Sequence, residues 1–136
     1  MSSLIFRAAA RVLMPLLIVF AIFLLLRGHN EPGGGFVAGL VVAVAFVLRV
    51  FAEGAPAARA ALLVEPRKLI ATGLVLALAS GFVPVALGQP FLTAVWTEIG
   101  PPAWRLLIGT PLSFDIGVCF VVIGIVLNMT FDLAED

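Results

Sequence analysis

Apolar positions fall into four blocks, residues 12–26, 36–51, 69–87 and 112–131, each bounded by charge or by Gly and Pro. A bilayer's hydrocarbon core takes about 20 helical residues to cross. The pattern therefore predicts an all-α integral membrane protein with four transmembrane helices, over about 4–26, 36–52, 69–87 and 111–131, in a single membrane domain of residues 1–136. The first block is short for a span, but the helix can extend back through Leu4, Ile5 and Phe6 while Arg7 and Arg11 snorkel to the headgroups. Arg27 then anchors its far end. Two arginines ahead of a short apolar run also resemble a signal peptide, yet Arg-Gly-His-Asn-Glu follows rather than a small-x-small cleavage site, which predicts an uncleaved span.

The connections set the sidedness. Arg7 and Arg11 precede the first span, and Arg49, Arg59, Arg67 and Lys68 surround the second connection, whereas the other two connections carry only Arg27 and Arg105. By the positive-inside rule both termini are expected in the cytoplasm. Residues 53–58, Glu-Gly-Ala-Pro-Ala-Ala, read as a small, mobile linker, and Glu65-Pro66-Arg67 as the start of the third helix, where the missing N–H of proline costs nothing. Residues 88–110 form the longest connection. Pro90, Trp96, Pro101, Pro102 and Trp104 suggest a loop at the outer interface with its indoles at headgroup level. Pro15 and Pro84 fall inside spans and are expected to kink them.

Composition narrows the function classes. Of 136 residues 62% are apolar and 12% charged, the formal net charge is zero and the mean hydropathy is +1.22. Soluble domains run at about a quarter charged, so a soluble enzyme is excluded and no length remains for an aqueous catalytic module. No basic run is present to neutralise phosphates and Tyr is absent, which argues against nucleic acid as a partner. The one cysteine, Cys119, sits between apolar neighbours and reads as a buried small hydrophobe. One His, one Cys and scattered carboxylates offer no metal site, cofactor site or nucleophilic triad at useful spacing. Thr72, Ser80, Asn128 and Thr130 can bond across helices or back to their own carbonyls.

Within lipid, helices associate by close packing, so small residues four apart mark packing faces. Gly35, Gly39 and Ala43 on the second span and Gly73, Ala77 and Gly81 on the third have that spacing. They can serve packing within the chain or docking of a membrane partner. Asp115 lies about one turn into the fourth span. A carboxylate there is a candidate ion or proton ligand, or an acid favoured by its own helix N-terminus. The turn Arg27-Gly28-His29-Asn30-Glu31-Pro32-Gly33-Gly34-Gly35 is the second polar stretch. Its three successive glycines, Gly33, Gly34 and Gly35, allow close backbone approach, and His29 with Glu31 can exchange protons at the surface. A tight polar connection explains the same residues without chemistry.

The run from Arg27 to Phe36, with Glu65-Pro66-Arg67, Ser80-Gly81, Pro90-Phe91-Leu92-Thr93 and Gly109-Thr110-Pro111-Leu112-Ser113-Phe114-Asp115-Ile116-Gly117-Val118, resembles the MnhB/MrpB family. That family is the B subunit of multisubunit Mrp-type sodium/proton antiporters. The likeness covers nearly the whole chain; Glu65 departs from the Asp common before Pro-Arg in the family. The resemblance implies a multi-pass subunit of a hetero-oligomeric complex in the bacterial cell membrane, with other Mrp subunits and the lipid bilayer as partners, exchanging Na+ for H+ in sodium and pH homeostasis. Related subunits occur in membrane-bound hydrogenases, an alternative setting, and a purely structural docking role is another. Under the transport reading Asp115 would be the ion or proton ligand, with His29 and Glu31 as an outer gate or subunit contact, and Gly33, Gly34, Gly35 and Gly39 among the packing positions.

Overall fold

Each apolar block forms a helix in a computed structural model, which describes residues 4–27, 34–91, 96–99 and 106–135. Helix α1 spans Leu4–Arg27, α2 Gly34–Glu53, α4 Pro66–Ala86 and α5 Thr110–Glu135, and all four contain stretches long and apolar enough to cross a membrane. Near-uniform apolarity around these helices suits a solvent in which the backbone must satisfy its own hydrogen bonds. Pro66 opens α4 behind Glu65, whose carbonyl accepts from the N–H groups of Lys68 and Leu69 at 2.9 and 3.2 Å. Pro15 and Pro84 lie inside α1 and α4.

The long helices stand in a row, α1, α2, α5, α4, rather than closing a bundle. Substantial packing joins α1 to α2, α2 to α5 and α5 to α4, while among the described residues α4 makes no comparable contact with α1 or α2. Gly35 and Gly39 bring α2 onto α5. A Cβ at Gly35 would stand 2.1 Å from the Asp115 carbonyl oxygen, and one at Gly39 2.8 Å from Val122 Cβ. On the opposite side of α5, Gly117 faces Gly73 and Ala77, and Gly124 faces Pro66 and Ile70, again with no room for a Cβ. A second buried stripe on α2, Ala38, Ala45 and Ala52, recurs at seven-residue spacing, a period that returns each residue to nearly the same side of a helix. Arg49, on that side, reaches Met14 of α1.

Two connections differ from their sequence reading. The small linker becomes helix α3, Ala55–Leu62, with Pro56 in its first turn and Ala58 fully buried. Alanine is the best helix former, and Arg59 ties the helix down by pairing with Glu135 and covering the Phe131 ring at 4.7 Å. The long connection, expected as a loop, contains a hairpin. Strand β1, Trp96–Ile99, pairs antiparallel with β2, Leu106–Gly109, matching Trp96 to Gly109 and Ile99 to Leu106. Pairing satisfies backbone groups that an irregular segment leaves open. The indoles of Trp96 and Trp104 lie outside the described side chains.

Substituting Gly117→Val should separate α5 from α4, because the added Cβ would meet the Gly73 carbonyl oxygen at 2.6 Å. Overpacking of this kind costs about 1–3 kcal/mol, so thermal unfolding in detergent should shift down clearly. Leu78→Val, on the exposed side of α4, should leave it nearly unchanged.

Candidate functional site

The charges divide between the two ends of the row. One end gathers Arg7 and Arg11 from α1, Arg49 and Glu53 from α2, Arg59 from α3, Arg67 and Lys68 from α4, and Asp132 and Glu135 from α5. Arg11 pairs with Glu53 at 3.2 Å, and Arg59 pairs with Glu135. These pairs at the surface tie helix ends together and contribute little to stability, because solvent screens them. Arg49 Nε stands 3.0 Å from Glu53 Oε2, close enough for an ion pair but without hydrogen-bond alignment. The start of α1 and the end of α5 thus lie on the same side of the membrane domain.

The opposite end holds the sparse chemistry. Asp115, half-buried, sits about 7.5 Å along α5 from Thr110. Its carboxylate rests against the first residue of α2: a Cβ at Gly34 would be 3.5 Å from Asp115 Oδ2. Gly34 has φ +86°, a conformation that glycine adopts without strain, and Gly35 next to it lets the α2 backbone reach the Asp115 main chain. The carboxylate therefore faces the positive end of a neighbouring helix as well as lying near its own N-terminus, and both dipoles stabilise negative charge. The two polar features of the sequence, the glycine run and Asp115, meet here. His29, Glu31 and Gly33 lie outside the described residues.

Two residues before Asp115, the Ser113 hydroxyl lies 2.5 Å from that of Ser80 on α4. Ser80 also donates to the Leu76 carbonyl at 2.8 Å and is only 5% exposed. Pro84, fully buried, stands four residues on and lacks the N–H that would otherwise close the helical bond to the Ser80 carbonyl. A hydroxyl pair and a proline-interrupted turn thus mark the α4–α5 interface near the carboxylate. Thr130 simply bonds back to the Val126 carbonyl at 2.8 Å. Among the described residues no group of His, Cys, Asp and Glu could hold a metal ion.

The small-residue positions are placed as follows. Gly35 and Gly39 touch α5 directly, Gly73 meets Gly117 and Val121, and Ala77 meets Gly117. Ala43 and Gly81 are buried. Cys119 is buried, with its carbonyl oxygen 2.9 Å from where a Gly39 Cβ would stand. Sequence reasoning missed the α5 half of these contacts, Gly117 and Gly124, whose seven-residue separation was the available signal. It also missed Ser113, whose role depends on a partner 33 positions away.

Fold and site together define an integral membrane protein of four spans, arranged in an open row, with one carboxylate lodged in the membrane domain at a helix–helix junction. The model of a domain related to the MnhB subunit of Na+/H+ antiporter matches residues 5–128. The chain belongs to the MnhB family. It is 35% identical to the Na(+)/H(+) antiporter B subunit of Alkalihalophilus pseudofirmus over 93% of this chain and 88% of the relative. It is 32% identical to the protein of that name from Bacillus subtilis, over 99% and 95% respectively. A chain in the structure of the Mrp complex from Dietzia sp. DQ12-45-1b superposes with a TM-score of 0.78 at 30% identity. That match covers 96% of this chain and 14% of the other.

Gly35→Ala should be far more damaging than Gly34→Ala. The first forces a methyl onto a backbone oxygen that cannot move independently of α5, while the second meets ordinary contact and only backbone strain, worth about 1 kcal/mol. Comparing the two variants by unfolding in detergent checks the order.

Proposed function

We propose that this chain is a small subunit of a multisubunit cation/proton antiporter that exchanges Na+ for H+, working in a hetero-oligomeric complex in the bacterial cell membrane with other Mrp-type subunits. The names of its relatives and the Mrp complex likeness support the class. It transports rather than catalyses. The observation that carries a role beyond assembly is Asp115, a half-buried carboxylate against the start of α2.

Buried charge in a membrane domain is costly and is kept facing protein or water. Asp115 takes part in an ion or proton passage that is completed at a boundary with another subunit, since the only lysine, Lys68, stands in the first turn of α4 and one carboxylate cannot carry an ion across a bilayer. His29 and Glu31, a few residues before Gly34 in the chain, are assigned to an outer gate or a subunit contact. The orientation follows from charge: six of the eight Lys and Arg residues lie at the end shared by the α1 start and the α5 finish, which puts both termini in the cytoplasm and Asp115 in the outer half. The membrane domain is a single unit of residues 1–136. The small-residue faces, Gly35, Gly39 and Ala43 with Gly73, Ala77 and Gly81, act first within the chain, holding α5 between α2 and α4. Gly34 shapes the start of α2 beside the carboxylate, and Gly33, next to it in the chain, is assigned to subunit or helix packing.

In vesicles carrying the whole complex, Asp115→Asn should clearly lower sodium/proton exchange while complex recovery on native gels stays normal. Full exchange with an intact complex would remove Asp115 from the passage and leave a purely structural role.

A further inference from the structure

Two arginines share one carboxylate where α1 begins and α2 ends, and a third lines the same hollow. Arg11 and Arg49 lie within 3.2 and 3.0 Å of Glu53, and Arg7, one turn before Arg11, is near enough to act on the same carboxylate through space. The group carries a surplus of two positive charges. Arg7 and Arg11 are exposed, with 67% of the Arg11 side chain accessible. Two hollows meet at Arg7. One runs along α1 past Leu4, Ala8 and Arg11, and the other lies between α2 and α3 beside Gly54 and Ala57. Small side chains next to the guanidinium leave space for a group of phosphate size.

We propose that this cleft binds the headgroup phosphate of an anionic phospholipid, with its acyl chains lying on the exposed apolar side of α1. Helix α1 ends the row and is packed mainly on one neighbour. Its exposed surface turns apolar at once, through Val12, Leu13 and Leu16, and Phe51 is exposed on α2 at the same level. An arginine cluster directly above lipid-facing surface is at the depth of the phosphates, and guanidinium groups bind phosphate oxygens in paired, charge-assisted hydrogen bonds. The unmatched positive charge selects an anionic lipid over a zwitterionic one, which brings its own cation. Glu53 holds Arg11 in place and so pre-organises the cleft.

The test adds phosphatidylglycerol or phosphatidylcholine to the full-length protein purified in neutral detergent with the subunits that accompany it, and follows bound lipid by native mass spectrometry. Phosphatidylglycerol should bind preferentially. Arg7→Gln, which leaves the Arg11–Glu53 pair in place, should weaken that binding about fivefold, and Arg7→Lys should retain most of it. Inorganic phosphate at equal concentration should not displace the lipid. Equal retention of both lipids, an unchanged preference in Arg7→Gln, or crosslinking of Arg7→Cys to a protein subunit rather than to a photoactivatable lipid would each overturn the proposal.

Discussion

Everything in this membrane domain depends on how closely α5 can approach its two neighbours. Lipid provides no hydrophobic drive between helices, so attachment comes from dispersion and from contacts that only bare backbone permits. On one side Gly35 and Gly39 admit the Asp115 backbone and Val122, and on the other Gly73, Gly117 and Gly124 bring α4 into backbone contact. Helix α5 is wedged between α2 and α4 by absent side chains. The row α1, α2, α5, α4 follows, because α5 is approached on one side by the glycines of α2 and on the other presents its own Gly117 and Gly124 to α4, while α2 uses two buried stripes, one of glycine and one of alanine.

The same contacts place the polar groups. Close packing at Gly34 and Gly35 carries the Asp115 carboxylate to the start of α2, where helix dipoles offset part of what it loses by leaving water. The α4–α5 approach likewise brings Ser80 to Ser113. At the far end the charges are accessible, and Arg11–Glu53 and Arg59–Glu135 act as ties at the membrane surface rather than as a core. Among the described residues charge thus collects at one end of the row, with the Asp115 carboxylate half-buried at the other.

An open row suits one part of a larger complex better than a self-contained carrier. A closed bundle can surround a solute, whereas a row exposes broad apolar surface on both sides, as Val19, Phe23, Val75 and Phe82 show. The broad, mostly apolar surface leaves room for membrane partners to pack against the row.

By itself the sequence determined that the chain spans a membrane four times, where the spans lie, which end collects the basic residues and which carboxylate stands apart. These are properties of local composition and of the resemblance carried by the run ending at Gly35 and Phe36 and by Gly109 to Asp115. It also marked Gly35, Gly39 and Gly73 as packing positions without saying what they touch. Tertiary structure decided the neighbours: that α5 rather than α4 meets α2, that Asp115 faces the glycine run, and that Ser80 bonds Ser113. It also turned an alanine linker into α3 and part of a loop into a hairpin. Hydrophobicity in lipid tells each helix that it must cross the membrane but not which face to turn. That choice belongs to backbone-to-backbone fit between residues far apart in the chain.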